Sequence, residues 1–164
     1  ATLAAETARE SAVLDVLRAR YTHVSAERVL SGPGLVNLYE ALCLAEGRDP
    51  ATLGPADITR LGLAGAEPLC AEVLQLFCGW LGAVAGNLAL TLGATGGVFI
   101  GGGIVPQLGE AFGRSPFRAR FEAKGRYRDF LAGIPTTVIT ARLPAFTGLV
   151  RAFDTTGPWL EVRS

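Results

Sequence analysis

Residues 96–106 have the sequence GGVFIGGGIVP, and this stretch decides the class of fold. Its apolar run, Val98–Ile100, is bounded by glycines, which is typical of a short buried strand. The glycines at 101–103 end that strand, and Pro106 can begin a helix because its missing N–H would be unpaired there anyway. A β-branched run at 136–140 predicts a second strand. The sequence therefore predicts an α/β protein.

Helical patterns dominate the rest of the chain. Thr7 and Glu10 have the spacing of a capping box, which predicts that an amphipathic helix begins there and ends near Tyr21. Pro33 suits the start of the next helix for the same reason as Pro106. Further helical segments are predicted at about 35–44, within the loop at 49–65, at about 67–92, 106–112, 116–123 and 127–131, with a closing helix at 148–153 and a tail from Asp154.

The long helix at 67–92 carries an unusual face. Gly79, Gly82 and Gly86 leave that face almost without side chains, so another backbone can approach it closely. Each glycine costs about 1 kcal/mol in a helix interior. We therefore expect tight packing on this face to offset the cost.

A long uncharged stretch raises the question of a membrane span. No charged residue occurs between Glu72 and Glu110, a distance greater than the about 20 apolar residues that a spanning helix needs. However, Gln75, Asn87 and the glycine-rich run at 93–103 interrupt it, and a lipid-exposed helix is hard to maintain across such a run. The pattern favours a buried helix leading into a buried strand.

Composition excludes several other classes of protein. Lys plus Arg and Asp plus Glu number 15 each, so no net field attracts nucleic acid or an anionic membrane. The three cysteines, Cys43, Cys70 and Cys78, show neither the CxxC spacing of a zinc or redox site nor an even count, and we expect reduced, mostly buried thiols. Nothing near Ala1 has the form of a secretory signal. A cytoplasmic protein is expected.

The turn between the predicted strand and helix is one candidate site. Gly101, Gly102 and Gly103 would let a nucleotide approach the backbone without a Cβ clash, and a helix N-terminus offers free N–H groups. Tight packing explains glycine runs equally well. The turn has neither the Gly-Lys-Ser/Thr of a Walker A loop nor the GxGxxG spacing of a dinucleotide site.

Glu27 is the second candidate. It follows Ser25, which can cap a short turn through 26–28, and precedes the chain break at 31–34, so its carboxylate could project into a cleft and bind sugar hydroxyls. The alternative is that Glu27 pairs with Arg28 or water on the surface. His23, the single histidine, has no neighbouring acid or serine that would form a triad, and a core or surface role is expected for it.

At these residues the sequence resembles the bacterial glucokinases of the group that lacks the cysteine-rich zinc motif of repressor-type sugar kinases. The resemblance extends over about 4–153. It is carried by HVSAERVLSGPGLVNLY at 23–39, GNLAL at 86–90, GGVFI and GGIVP within 96–106, and FRARFEAKGR at 117–126.

The resemblance implies a role and a fold. Residues 1–153 would form the C-terminal portion of the large lobe of an actin-like ATPase, a ribonuclease H-like α/β fold, and 154–164 a tail. Glu27 matches the carboxylate that binds glucose, and the glycines at 101–103 match the adenosine motif that packs against ATP. The implied reaction is glycolytic phosphorylation of glucose by ATP with Mg²⁺. A homodimer is also implied, with the face at 79–86 or its neighbours as a possible interface.

Three motifs of the family are missing from this sequence. It has no Asp-x-Gly-Gly-Thr phosphate loop, no Asn-Asp pair with the catalytic aspartate, and no Glu-Gly-Gly-His sugar motif. Phosphoryl transfer requires the sugar hydroxyl, Mg-ATP and a base to be positioned together. We therefore expect a fragment that lacks an N-terminal lobe and is inactive alone. The alternative is a non-catalytic half-domain that binds nucleotide or mediates dimerisation.

Overall fold

The computed structural model describes residues 3–141. Within that range the chain has ten helical elements and one two-stranded sheet, so it forms a helix-rich α/β fold, as the sequence predicts. In chain order the elements are α1 (Ala8–Arg20), a 3₁₀ turn (Ala26–Arg28), α2 (Gly32–Ala45), α3 (Pro55–Leu63), α4 (Pro68–Leu92), β1 (Val98–Ile100), α5 (Ile104–Leu108), α6 (Glu110–Gly113), α7 (Phe117–Glu122), a second 3₁₀ turn (Gly125–Tyr127), α8 (Arg128–Ala132) and β2 (Thr136–Val138).

The start of α1 confirms the predicted cap and adds a long-range contact. The Thr7 hydroxyl accepts a hydrogen bond from the Glu10 N–H at 3.1 Å. The Glu10 carboxylate accepts from the Glu6 N–H at 2.6 Å, so the reciprocal bond of a capping box reaches one residue further back. Glu10 is buried, and Arg120 Nη1 of α7 donates to it at 2.6 Å. A buried carboxylate requires such a partner, so this ion pair ties α1 to α7.

The core lies where α1, α2 and α4 pack together. Leu14, Leu38 and Trp80, one from each helix, are almost completely buried. The Trp80 indole N–H donates to the Ala4 carbonyl at 3.1 Å, so the polar atom of this buried ring is satisfied. Cys43, Cys70 and Cys78 are buried and free, as expected.

The glycine face of α4 packs against α7. A Cβ on Gly82 would lie 2.1 Å from the Phe117 carbonyl oxygen, and one on Gly86 would lie 2.4 Å from the Phe121 carbonyl oxygen. Both distances are far below van der Waals contact, so only glycine permits this approach. The predicted close backbone contact is confirmed. Because α7 of the same chain covers Gly82 and Gly86, these glycines are not free to contact a second copy, and the homodimer stays a prediction without them.

The uncharged stretch forms α4, the turn after it and β1. By length and composition α4 is able to cross a membrane, yet 61% of its most apolar window is buried inside the protein. A core helix has the same properties, so α4 is weak support for a span. The prediction of a buried helix is confirmed, but the following strand is only partly buried, since 69% of Phe99 is exposed.

The sheet consists of β1 and β2, which pair in parallel with Val98 opposite Thr136 and Ile100 opposite Val138. The second strand ends at Val138, two residues before the predicted end. Arg118 of α7 binds the segment that leads into β2, because its guanidinium donates to the carbonyls of Ala132 and Ile134, each at 2.8 Å. One side chain therefore fixes the backbone just before β2 begins.

The segment after the glycine turn differs from the prediction. The helix begins at Ile104 rather than Pro106, so the proline lies at its third position. Gly109 has a φ of 53°, and this left-handed residue separates α5 from α6, where a single helix through Phe112 is predicted. The predicted closing helix at 148–153 and the tail lie outside the described residues.

Candidate functional site

Glu27 lies at the centre of the first 3₁₀ turn, between α1 and α2, and is exposed. Ser25 precedes the turn, but its hydroxyl makes no capping hydrogen bond, so that predicted cap is wrong. Within residues 3–141 no ion pair joins Glu27 to Arg28. The Arg28 guanidinium lies instead over the Tyr21 ring, 4.4 Å from its centroid. The Glu27 carboxylate thus faces solvent without a fixed cation.

A cavity of about 650 Å³ opens beside Glu27. Its lining is polar, with hydroxyl, amide, imidazole and guanidinium groups around the single carboxylate. Such groups suit a ligand rich in hydroxyls. The lining residues are Arg20, Tyr21, Thr22, His23, Ser25, Glu27, Arg28, Ser31, Pro33 and Asn37.

The start of α2 holds this turn. Ser31 is the N-cap residue, and its side-chain oxygen accepts from the Gly34 N–H at 3.0 Å. The same hydroxyl donates to the Glu27 carbonyl at 2.8 Å. Gly34 packs directly on the backbone of Val29, where an added Cβ would lie 2.5 Å from the carbonyl carbon. The turn is therefore fixed to the helix by one hydroxyl and by one position that only glycine can occupy.

The glycine turn at 101–103 follows β1 directly. Gly102 has a φ of +119°, a backbone conformation that favours glycine. A Cβ on Gly103 would meet no atom within 4 Å, and one on Gly101 would make only an ordinary contact with Ile139. Backbone conformation therefore explains Gly102, whereas neither backbone conformation nor packing within residues 3–141 explains Gly101 or Gly103. The short α5 that follows has five residues, so its contribution to anion binding is small.

The space in front of this turn is a second cavity, of about 280 Å³. It has an apolar wall formed by side chains of α4 and α5, as is expected of a site for a flat ring. Its lining residues are Leu30, Ser31, Gly32, Phe77, Leu81, Ile100, Gly101, Gly102, Gly103, Ile104 and Val105.

Ser31 lines both cavities. The structure therefore brings together the two candidates that the sequence singled out, although 74 positions separate Glu27 from Gly101. Their roles as ligands stay predictions. Sequence reasoning missed the contribution of Tyr21 and Asn37 to the Glu27 cavity, and it left His23 with a core or surface role. Asn37 lies in the 23–39 signature that contains Glu27, and this shared motif was the sequence feature that could have placed it at the same cavity.

The described residues contain no metal site built from three or more side chains. Among residues 3–141 no group of three His, Cys, Asp or Glu side chains is close enough to hold a metal ion. In kinase sites Mg²⁺ is held mainly by phosphate oxygens with one or two carboxylates. Magnesium is therefore considered below only as a component of the Mg-ATP substrate.

Comparisons with known proteins agree over nearly the whole chain. A family model described as Glucokinase matches residues 1–156. The glucokinase of Aromatoleum aromaticum is 56% identical over 153 residues, which is 93% of this chain and 46% of the relative. That of Nitrobacter hamburgensis is 54% identical over 148 residues, 90% of this chain and 46% of the relative.

A solved structure also matches. The crystal structure of a glucokinase from an Antarctic psychrotroph superposes with a TM-score of 0.87 at 38% identity and covers 94% of this chain. This chain covers 48% of that structure. It spans about half the length of the curated relatives that it matches.

Proposed function

The chain belongs to the glucokinase family, and on that premise we propose that it is part of an enzyme that phosphorylates glucose with ATP. The γ-phosphoryl group would pass to the glucose 6-hydroxyl, giving glucose 6-phosphate and ADP with release of the hydroxyl proton. We propose further that residues 1–153 are the C-terminal portion of the large lobe of an actin-like ATPase fold, followed by a tail at 154–164. The 38% identity to a solved glucokinase at a TM-score of 0.87 supports the fold.

The observation that carries this proposal is the meeting of two cavities at Ser31. A kinase must hold its sugar and its nucleotide side by side, because positioning supplies most of the catalysis of phosphoryl transfer. The larger cavity has a carboxylate that forms no ion pair within residues 3–141, which suits a sugar. The smaller cavity combines an apolar wall with glycines, which suits adenosine.

In this proposal Glu27 accepts hydrogen bonds from two glucose hydroxyls. Its carboxylate is acceptor-only when ionised and has two oxygens, so it can hold neighbouring hydroxyls at once. Because it has no fixed cation within residues 3–141, glucose does not have to displace one. Gly101 and Gly103 would lie under the adenosine of Mg-ATP, where a Cβ would occupy the space of the ligand.

The 164 residues contain no Asn-Asp pair of the kind that carries the catalytic aspartate in the family that the sequence resembles. Loss of a general base costs about 100- to 10,000-fold in rate, and without the opposite wall of the cleft the substrates are not aligned. We therefore propose that this chain alone does not turn over, and that the whole enzyme acts in glycolysis, in the cytoplasm, as a homodimer. The alternative is a non-catalytic half-domain that binds nucleotide or mediates dimerisation. The cavity in front of the glycines at 101–103 favours nucleotide binding.

An assay coupled to oxidation of glucose 6-phosphate tests the proposal. The 164-residue chain should give no turnover, and an intact enzyme that contains these residues should turn over. In the intact enzyme Glu27→Gln should raise the KM for glucose about 10- to 100-fold, since a hydrogen bond to a charged group contributes about 1.5–3 kcal/mol. Glu110→Gln, at an exposed position on α6, is the matched control.

Each measurement has a contrary outcome. An unchanged KM for glucose in Glu27→Gln would exclude Glu27 as a sugar ligand. Turnover by the 164-residue chain would exclude the proposed dependence on another part of the protein. Calorimetry of the isolated chain with ATP and with glucose distinguishes the alternative from an inactive fragment. Submillimolar binding would support a binding half-domain. Millimolar or undetectable binding of both ligands would reject it.

A further inference from the structure

The turn that presents Glu27 needs support from outside itself. None of its three residues is buried, and a 3₁₀ turn of this length is weak on its own. Ser31 and Gly34 fix its C-terminal side to the start of α2, as described above. The question is what holds the backbone at Arg28, which directly follows Glu27.

Asn37, one turn further along α2, makes that contact. Its side-chain Nδ2 donates to the Arg28 carbonyl at 2.8 Å. Its Oδ1 accepts from the Tyr21 hydroxyl at 3.0 Å. The orientation of the amide follows from chemistry, because a backbone carbonyl can only accept and so the NH₂ group must face Arg28. One side chain therefore bridges the end of α1 and the Glu27 turn.

Tyr21 adds a second restraint on the same turn. Its ring lies under the Arg28 guanidinium at 4.4 Å from the centroid, and the Arg20 guanidinium lies at 5.4 Å. Arg20 is also paired with Glu40. Stacking of this kind is favourable at partly exposed sites. Arg28 is consequently held at its carbonyl by Asn37 and at its side chain by Tyr21.

This arrangement has a consequence for Glu27. Adjacent charges of opposite sign attract, and a free Arg28 side chain could fold back onto the neighbouring carboxylate. The Tyr21 ring holds the guanidinium elsewhere, and the Asn37 amide fixes the peptide that links the two residues. The backbone of Glu27 is thereby fixed, and within residues 3–141 its carboxylate is left without a cation.

We propose that Asn37, acting with Tyr21, is a positioning residue that keeps Glu27 ready to bind sugar. The inference rests on the proposed role of Glu27 as a glucose ligand. It assigns Asn37 no contact with the substrate. Its effect passes through the turn.

The test uses an intact enzyme that contains these residues. Asn37→Asp keeps the acceptor for Tyr21 but places an oxygen against the Arg28 carbonyl, and Tyr21→Phe removes one hydrogen bond while it keeps the ring. Asn37→Asp should raise the KM for glucose about 10-fold, the factor that corresponds to one hydrogen bond, and Tyr21→Phe should raise it less. The KM for ATP should change by less than about twofold in both, since neither residue lines the second cavity. Asn87→Asp, the same change at an exposed position on α4, is the control.

A double-mutant cycle separates positioning from general damage. If Asn37 acts through Glu27, its effect on the KM for glucose should disappear in the Glu27→Gln background, because interacting residues are non-additive. An Asn37→Asp effect that persists in that background would overturn the inference, as would equal rises in the KM for glucose and for ATP. If Asn37→Asp does not fold, Tyr21→Phe carries the same cycle.

The outcomes also distinguish this inference from the proposed function. A normal KM for glucose in Glu27→Gln removes the premise and overturns both. If the KM for glucose is raised in Glu27→Gln but normal in Asn37→Asp and Tyr21→Phe, the proposed function is kept and only the positioning role is overturned.

Discussion

Glu27 and the glycines at 101–103 lie on turns that are built in different ways. The Glu27 turn is fixed by polar side chains and by the contact of Gly34 with Val29, 2.5 Å from an added Cβ. At the other turn a Cβ on Gly103, the residue before α5, would lie within 4 Å of no atom of residues 3–141. A glycine that the fold requires, such as Gly34, indicates close packing of the backbone. A glycine that the fold does not require, such as Gly103, indicates space that a ligand can occupy.

The largest expected effect tests this contrast directly. Gly34→Ala should destabilise the protein by about 3 kcal/mol, at the upper end of the range for overpacking, because its Cβ collides with backbone that cannot rotate away. Gly103→Ala should change the free energy of unfolding by less than about 0.5 kcal/mol, as for a site away from such features. Chemical denaturation measures both. Equal losses of unfolding free energy in the two variants would contradict the contrast, because the fold would then require both glycines to the same extent.

A smaller effect is expected at Gly102. Its φ of +119° is unfavourable for any residue with a Cβ, so Gly102→Ala should cost about 2 kcal/mol of backbone strain. Gly101→Ala is the matched control, since its φ is ordinary and its Cβ would lie 3.8 Å from the nearest atom. In calorimetry with ATP, Gly101→Ala should weaken binding although stability is kept. Unimpaired binding in that variant would mean that adenosine does not approach Gly101.

Ser31 lines both cavities, but its side chain makes hydrogen bonds only on the side of Glu27 among residues 3–141. Ser31→Ala removes the cap of α2 and the bond to the Glu27 carbonyl, so we expect a loss of about 1 kcal/mol in stability, typical of an N-cap. The variant should alter the KM for glucose more than the KM for ATP, because its hydrogen bonds reach the Glu27 turn alone. Thr91→Ala is a control, since that hydroxyl bonds only within α4. A larger rise in the KM for ATP than in the KM for glucose would contradict the assignment of the Glu27 cavity to the sugar.

A pH-dependent effect concerns the helix that supports the second cavity. Burial raises the pKa of the Cys78 thiol in α4 to about 11, from an ordinary value of 9.0. A raised pKa means that the folded protein holds the proton more tightly, so this contribution is complete below pH 9 and is lost as the pH rises towards 11. Thermal melts from pH 8 to 11 should show the decline. Cys78→Ala should reduce its slope without abolishing it, because burial also raises the pKa of the Cys70 thiol to about 11. An identical slope in Cys78→Ala would assign the decline to other groups.

Local rules predict most of the described fold. The helix starts at Thr7 and Pro33, the long glycine-bearing helix and both strands follow from capping, proline geometry and periodicity. The break at Gly109 was not predicted, because a glycine inside a helical pattern is usually tolerated and the pattern does not show its φ. The exposure of Phe99 was also missed, since an apolar run bounded by glycines does not show which face will be covered.

The candidate site was predicted less completely. Glu27 and the glycines at 101–103 were recognised from motifs, and the structure places their cavities next to each other. The contacts from Tyr21 and Asn37 could not be deduced, because the two residues are 16 positions apart and meet only when α1 packs on α2. Periodicity assigns Asn37 to a helix but does not show which atoms its amide will contact.

The small sheet has a practical consequence for work with the 164-residue chain. Within residues 3–141, β1 and β2 pair only with each other, so the outer edge of each strand presents N–H and C=O groups that another strand can bind. Self-association through these edges would depend on protein concentration and would compete with ligand binding. A dilution series followed by analytical ultracentrifugation should therefore precede any titration of this chain.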